Sequence, residues 1–237
     1  MHYEKRFVSP LYLSVIVTAL LCLTTVAWAA DNDKDQADVA KRLVASTKVL
    51  DEIMSTPNKA IPDGIIKRAT CVAVFPSTVQ VAVLVGAKHG KGVATCRTAN
   101  GWSAPAPLDI SGGSWGAQLG GQQVDLVMIV TDDKGMQQLE SGKFSLGTET
   151  SVTAGPIGDQ DMKMNADVLS YSRARGMFAG TNFNGSSITE DQSETQSLYG
   201  ASLSLANIFG GKAQIPDAAA SFLETVQKYA GHAKAKD

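Results

Sequence analysis

Apolar residues recur at helical spacing over 33–55: Val39, Leu43, Leu50 and Met54 fall on one side, and Lys41, Arg42, Lys48, Asp51 and Glu52 on the other. The pattern predicts an amphipathic helix stopped at Thr56-Pro57-Asn58. A second short helix is predicted from Ile61-Pro62-Asp63, because a first-turn proline gives up no hydrogen bond. The texture then turns to β. Cys71 to Phe75 is a strand-like run ended by Pro76, Val79 to Val85 is another, and Gly86 to Gly92 reads as a loop of turn residues. A strand over Val93 to Thr98 leads into Asn100-Gly101, a strong hairpin signal. Pro105 and Pro107 demote the stretch 102–110 to an edge or irregular strand. In the glycine-dense segment Ser111 to Gly121, Trp115, Ala117 and Leu119 alternate with Ser114, Gly116 and Gln118, as on the two faces of a strand. Val124 to Val130 continues as a buried strand, and Thr131-Asp132 caps a short helix that Gly142 ends. Strands resume over 143–154, break at Gly155-Pro156 and return over 168–188. A polar helix runs from Thr189 to Leu198, and a closing helix from Ile215-Pro216-Asp217 carries the stripe Ala218, Phe222, Val226 and Tyr229. Helices, then strands with one helical interruption, then helices predict an α+β fold. Its sheet is mainly antiparallel, sandwich or barrel-like, with N-terminal and C-terminal helices.

The N-terminus changes the picture. Lys5 and Arg6 precede an uncharged apolar run, Leu11 to Val26, and Ala27-Trp28-Ala29 follows as a small-x-small cleavage site. This order predicts a signal peptide over 1–29 and one domain over 30–237, in the periplasm or secreted. The rival is an uncleaved or lipidated anchor. Sixteen helical residues reach only about 24 Å, against a bilayer core of about 30 Å. Leu21 before Cys22 is too bulky for the usual lipobox. The net charge of −2 gives no global pull toward nucleic acid. Cys71 and Cys96 are the cysteines outside the signal; an even count in an oxidising compartment favours a disulfide over two buried thiols.

Candidate chemistry is sparse. Gly112-Gly-Ser114-Trp-Gly116 matches the nucleophile elbow, but no helix signal follows it. The only histidines outside the signal are His89 and His232. A serine hydrolase using Ser114 is therefore a minor alternative, and no catalytic residue is assigned. No zinc spacing is present, no cofactor is implied, and the acidic pairs Asp132-Asp133 and Asp159, Asp161 read as solvated loops more readily than as calcium ligands. Gly86 to Gly92 and Gly142-Lys143 lack the Walker spacing. Tyr171, Arg173 and Arg175 fall two apart on a predicted strand, so two guanidiniums beside a ring suit a phosphate or carboxylate, with internal salt bridges as the rival. Lys41, Arg42 and Lys48 on the first helix suit anionic headgroups, with an ordinary solvated face as the rival.

Several phrases together resemble the SYLF domain family: Gly92-Val-Ala-Thr-Cys-Arg97, Gly101-Trp-Ser-Ala-Pro105, Gly112 to Gly121, Ser145 to Gly158, Ser172-Arg-Ala-Arg-Gly-Met-Phe-Ala-Gly180 and Leu198-Tyr-Gly200. The likeness spans residues 36–230, and the exported, stand-alone layout is similar to that of bacterial members. The resemblance implies a lipid-binding module without catalytic residues. Family associations with phosphoinositide membranes and actin reduce, for an exported chain, to anionic phospholipid at an envelope membrane, and an actin-type partner is not expected. The alternative is a structural or protein-interaction domain of the envelope without a small ligand.

Overall fold

A computed structural model describes residues 34–56, 60–82, 85–115, 120–142, 144–146, 152–155, 168–176, 183 and 185–231. The expected signal segment 1–29, residues 116–119 of the glycine-dense segment, Asp159, Asp161 and His232 lie outside the described residues.

A first helix, α1 (34–55), and a short α2 (Asp63–Ile66) precede the strands β1 (Cys71–Ala82), β2 (Val85–Thr98), β3 (Gly101–Trp102), β4 (Ala106–Trp115) and β5 (Gly120–Val130). Helix α3 (Asp133–Glu140) interrupts them. Strands β6 (Phe144–Ser145), β7 (Val152–Gly155), β8 (Val168–Gly176) and β9 (Ser186–Glu190) follow, and helices α4 (Gln192–Tyr199), α5 (Leu205–Phe209) and α6 (Ala220–Ala230) close the fold. The strands form one curled sheet in the order β6-β9-β4-β2-β1-β5-β8-β7, with β3 paired to β2. Every described pairing is antiparallel except β7 with β8. The α+β expectation is met.

Helices cover both faces. Val72 and Val74 of β1 join Leu43, Leu50 and Ile53 of α1 and Phe222 and Val226 of α6, whereas Cys71, Ala73 and Phe75 point the other way, toward Ile208 and Phe209 of α5. This is the period-two alternation of a strand buried on both sides. Cys71 and Cys96 are paired across β1 and β2 and form the expected disulfide. On α6 the buried stripe starts at Ala219, not at Ala218, which is exposed.

Two expectations are corrected in β1 and β2. Pro76 does not end a strand: β1 runs through it with a bulge, in which Pro76 and Ser77, between Phe75 and Thr78, face the single Asp125 between Leu126 and Val124. Ser77 takes φ 55° there, and its N–H donates to the Asp125 carboxylate at 3.0 Å. Gly86 to Gly92 is not a loop but the interior of β2. Gly90 and Gly92 are there for space: a Cβ at Gly92 would sit 2.4 Å from the Phe75 ring and 2.5 Å from the Val74 carbonyl, and one at Gly90 2.4 Å from Thr78 Oγ1. Turn composition and close strand contact select the same residue.

Arg97 fastens the C-terminus to this frame. Its guanidinium donates to the carbonyls of Lys67, Ala69 and Ala230 and stacks on Trp102, 4.5 Å from the ring centre, while the Trp102 indole donates to Gly231. A cation at the last carbonyls of α6 also complements the helix dipole.

Candidate functional site

The α1 side of the sheet has three zones. Deepest is the apolar floor under α1 and α6, formed by Val72, Val74, Val93, Val127, Ile129 and Tyr171. Next is a row of charged positions, Asp109 and Lys91 paired across β4–β2 and Asp125 and Arg173 paired across β5–β8. Beyond it the sheet is open: Ser111, His89, Val79 and Gln123 follow one another across β4, β2, β1 and β5, all exposed.

The charged row is closed by helices. Arg42 of α1 makes a two-pronged pair with Glu194 of α4, with side chains only 9% and 4% exposed. Lys91 donates to Glu194 at 2.8 Å and to Asp191 at 2.5 Å. Asp191 also caps α4, accepting from the Glu194 N–H and the Ser193 hydroxyl. Burial pushes the Asp191 carboxyl up, but Lys91 and these donors outweigh it and hold the pKa below the usual carboxylate value. Burial also works against the Lys91 ammonium, yet Asp191 and Glu194 keep its pKa above the ordinary lysine value. Asp109 is the odd member. Its Oδ1 is buried without a hydrogen bond, and burial, reinforced by Asp191, raises its pKa.

The expected site residues whose side chains are described do not form one anion cradle. Tyr171 is buried in the apolar floor. Its phenol is pushed up to about 12 by burial. Arg173 bridges Asp125 and Glu52, each at 2.6 Å, so the rival reading of an internal salt bridge describes it. Arg175 pairs with Gln123 in the β5–β8 register; its side chain lies outside the described residues. Arg42, expected on the outer face, turns inward to Glu194. Lys41 and Lys48 do stand outward, 77% and 72% exposed, with Asp38 and Glu52 alongside at 3.0 and 3.8 Å. Val44, 65% exposed, lies between them on the same helical stripe. Ser114 lies inside β4, paired with Gly86, so the backbone there is strand rather than the sharp strand-to-helix turn a nucleophile elbow needs. Among the described residues no group of three or more His, Cys, Asp or Glu is placed to hold a metal. Among them, too, no helix is long and apolar enough to cross a membrane.

Sequence reasoning missed Lys91, Asp109, Asp191 and Glu194. Their signal was weak: Lys91 sat in an apparent loop, and Glu194 in a helix whose polar composition gave no inward face.

Comparison with known proteins finds relatives by sequence. Residues 111–229 match the family described as Ysc84, Las17-binding protein actin regulator. SH3 domain-containing YSC84-like protein 1 of Bos taurus is 29% identical over 199 residues, covering 80% of this chain and 58% of the relative. The Xenopus laevis protein of the same name is 32% identical over 151 residues, covering 61% and 45%. Protein YSC84 of Saccharomyces cerevisiae is 29% identical over 182 residues, covering 73% and 39%. The chain thus spans about two fifths to three fifths of the length of these relatives. With half of the chain matched by the family model, the chain belongs to the Ysc84 family of SYLF domains.

Proposed function

We propose that this is a non-catalytic binding domain, exported from the cytoplasm, that attaches to anionic phospholipid surfaces through the outer face of α1. The observation that carries the reading is the stripe Lys41, Val44, Lys48: two outward ammonium groups flank an outward aliphatic side chain on a helix whose other face is locked into the core. A rigid helix with this face meets a membrane without paying for folding on contact, and each lysine near an anionic surface contributes about 1 kcal/mol. Arg173 is not part of the contact, since its guanidinium is held by two carboxylates. The strand backbone at Ser114 lends no support to a nucleophile elbow there.

Co-sedimentation with phosphatidylcholine–phosphatidylglycerol vesicles tests the reading. Binding is expected, weakened by salt and reduced roughly tenfold or more by Lys41→Glu with Lys48→Glu. Indifference of the wild-type protein to vesicles of every composition would refute it. The family description names a Las17-binding actin regulator, and co-pelleting with actin filaments in the absence of lipid would favour that protein-binding reading instead.

A further inference from the structure

The β1 bulge has an outcome that packing does not require. Val72 and Val74 face α1, and in a regular strand the even-numbered positions would stay on that side. The extra residue at Pro76-Ser77 reverses the alternation, so Thr78 is buried on the far face and Val79 and Val81 emerge on the α1 side, beyond the helix. They are 43% and 51% exposed. The reversal is held by Ser77 in the left-handed region and by the buried Asp125 that accepts its N–H. A positive φ at a non-glycine residue is sustained only where the surroundings impose it, and here its product is two valines facing water.

Their surroundings fit a lipid surface. Val79 and Val81 stand in register with His89 and Ala87 of β2 and with Gln123 of β5, all exposed, and none of these is acidic, although acidic residues outnumber basic ones 23 to 21 in the chain. The patch is also continuous with the face of α1 already argued to meet the membrane: Val79 and Lys41 line one groove of about 550 Å³ together with Lys34, His89 and Lys91. Acidic Asp35, Asp38 and Glu194 border that groove on the helix side, and Lys41 and Lys91 are paired with the latter two.

We propose that the exposed stretch of β1 at Val79 and Val81 is a second membrane contact, in which these two side chains enter the acyl boundary of a bilayer while α1 holds the anionic headgroups. This rests on the lipid-binding reading of α1 and adds to it an apolar, salt-resistant component. Val81→Cys carrying an environment-sensitive fluorophore, Asn100→Cys with the same label as a control at the opposite turn, and Val79→Glu with Val81→Glu are mixed with phosphatidylcholine–phosphatidylglycerol vesicles at low and high salt. The expected result is a blue shift at 81 quenched by bromolipid, no shift at 100, and binding by the double glutamate variant weaker by on the order of tenfold, including at high salt. If the wild type binds but position 81 shows no shift, or the glutamate variant binds like wild type, the hairpin inference is overturned while the α1 reading stands. Binding of the glutamate variant to a protein partner lost together with unchanged vesicle binding would likewise overturn it. If the wild type does not bind vesicles at all, both fall. The label at Val81 keeps the test decisive should the double variant fold poorly.

Discussion

Arg42→Met is the sharpest test of the charged row. The substitution removes a guanidinium that is 9% exposed and leaves Glu194, 4% exposed, with Lys91 as its remaining cation. Removing one partner of a buried ion pair costs about 3–5 kcal/mol, because the other charge stays desolvated. The Lys91 ammonium, 2.8 Å from Glu194, offsets part of that, so the loss is expected near 3 kcal/mol. Glu194→Met is expected to cost a similar amount by stranding Arg42. The double variant, which keeps Lys91 on Asp191, should lie within about 1 kcal/mol of wild type, since two apolar side chains of similar length replace a pair whose desolvation nearly cancels its attraction. Urea unfolding of the four proteins reads these values as midpoint shifts at constant slope, and the cycle isolates the coupling. Losses within about 0.5 kcal/mol for Arg42→Met, or a double variant as weak as the sum of the singles, would refute the account, since exposed pairs give about that little.

Three further outcomes follow from the fold. Replacing Cys71 and Cys96 by alanine should cost about 3.5 kcal/mol in urea unfolding, from the 25-residue separation that the disulfide closes in the unfolded chain. Gly92→Ala should destabilise by about 2–3 kcal/mol or more through overpacking against Phe75 and Val74, whereas Gly64→Ala in α2, where a Cβ meets nothing within 4 Å, should gain about 0.5–1 kcal/mol. Tyr171 is pushed up to about 12 by burial, so the folded state holds its phenolic proton more tightly than the unfolded chain does. Its contribution is complete below the ordinary tyrosine value of about 10 and is lost as pH rises toward 12. Tyrosinate absorbance should therefore show the Tyr171 phenol ionising together with unfolding, and free titration near 10 in the folded protein would contradict its burial.

The elements with strong periodicity were legible in the sequence. The apolar stripe of α1, the Asn100-Gly101 hairpin, the Asp132 cap of α3 and the strand over Val124 to Val130 all stand where the spacing placed them. What failed was local composition standing in for tertiary contact. Gly90 and Gly92 carry the composition of a turn, but a side chain there would collide with Thr78 and Phe75 of the neighbouring strand, which no local rule reports. Pro76 reads as a terminator, yet it occupies a bulge, where a strand gives up a ladder hydrogen bond without ending. The candidate site divided along the same line. That Lys41 and Lys48 are outward followed from helical position. That Arg42 and Arg173 are consumed by Glu194, Asp125 and Glu52 did not, because those partners lie 152, 48 and 121 positions away or belong to another element.

A row of partly buried charge between an apolar floor and an open sheet end asks for a reason, because well-packed apolar residues at its buried members would serve stability as well or better. Registry is the more direct account. The buried stripe of α1 repeats every turn, so an axial slip of one turn, about 5.4 Å, would still place aliphatic residues on the floor. The ion pairs forbid that slip: Arg42 meets Glu194 only in one position, and Glu52, further along the same helix, meets Arg173 only in that same position. Two pins three turns apart on one helix fix both its height and its rotation. They therefore fix where the outward stripe Lys41, Val44, Lys48 stands relative to Val79 and Val81, which is the geometry that a flat lipid surface would have to meet at both contacts at once. The Arg42→Met, Glu194→Met double variant separates the two roles of the row: stability should be nearly restored, while amide exchange along 34–55 should quicken because one pin is gone. Unchanged exchange in that variant would return the row to a packing role.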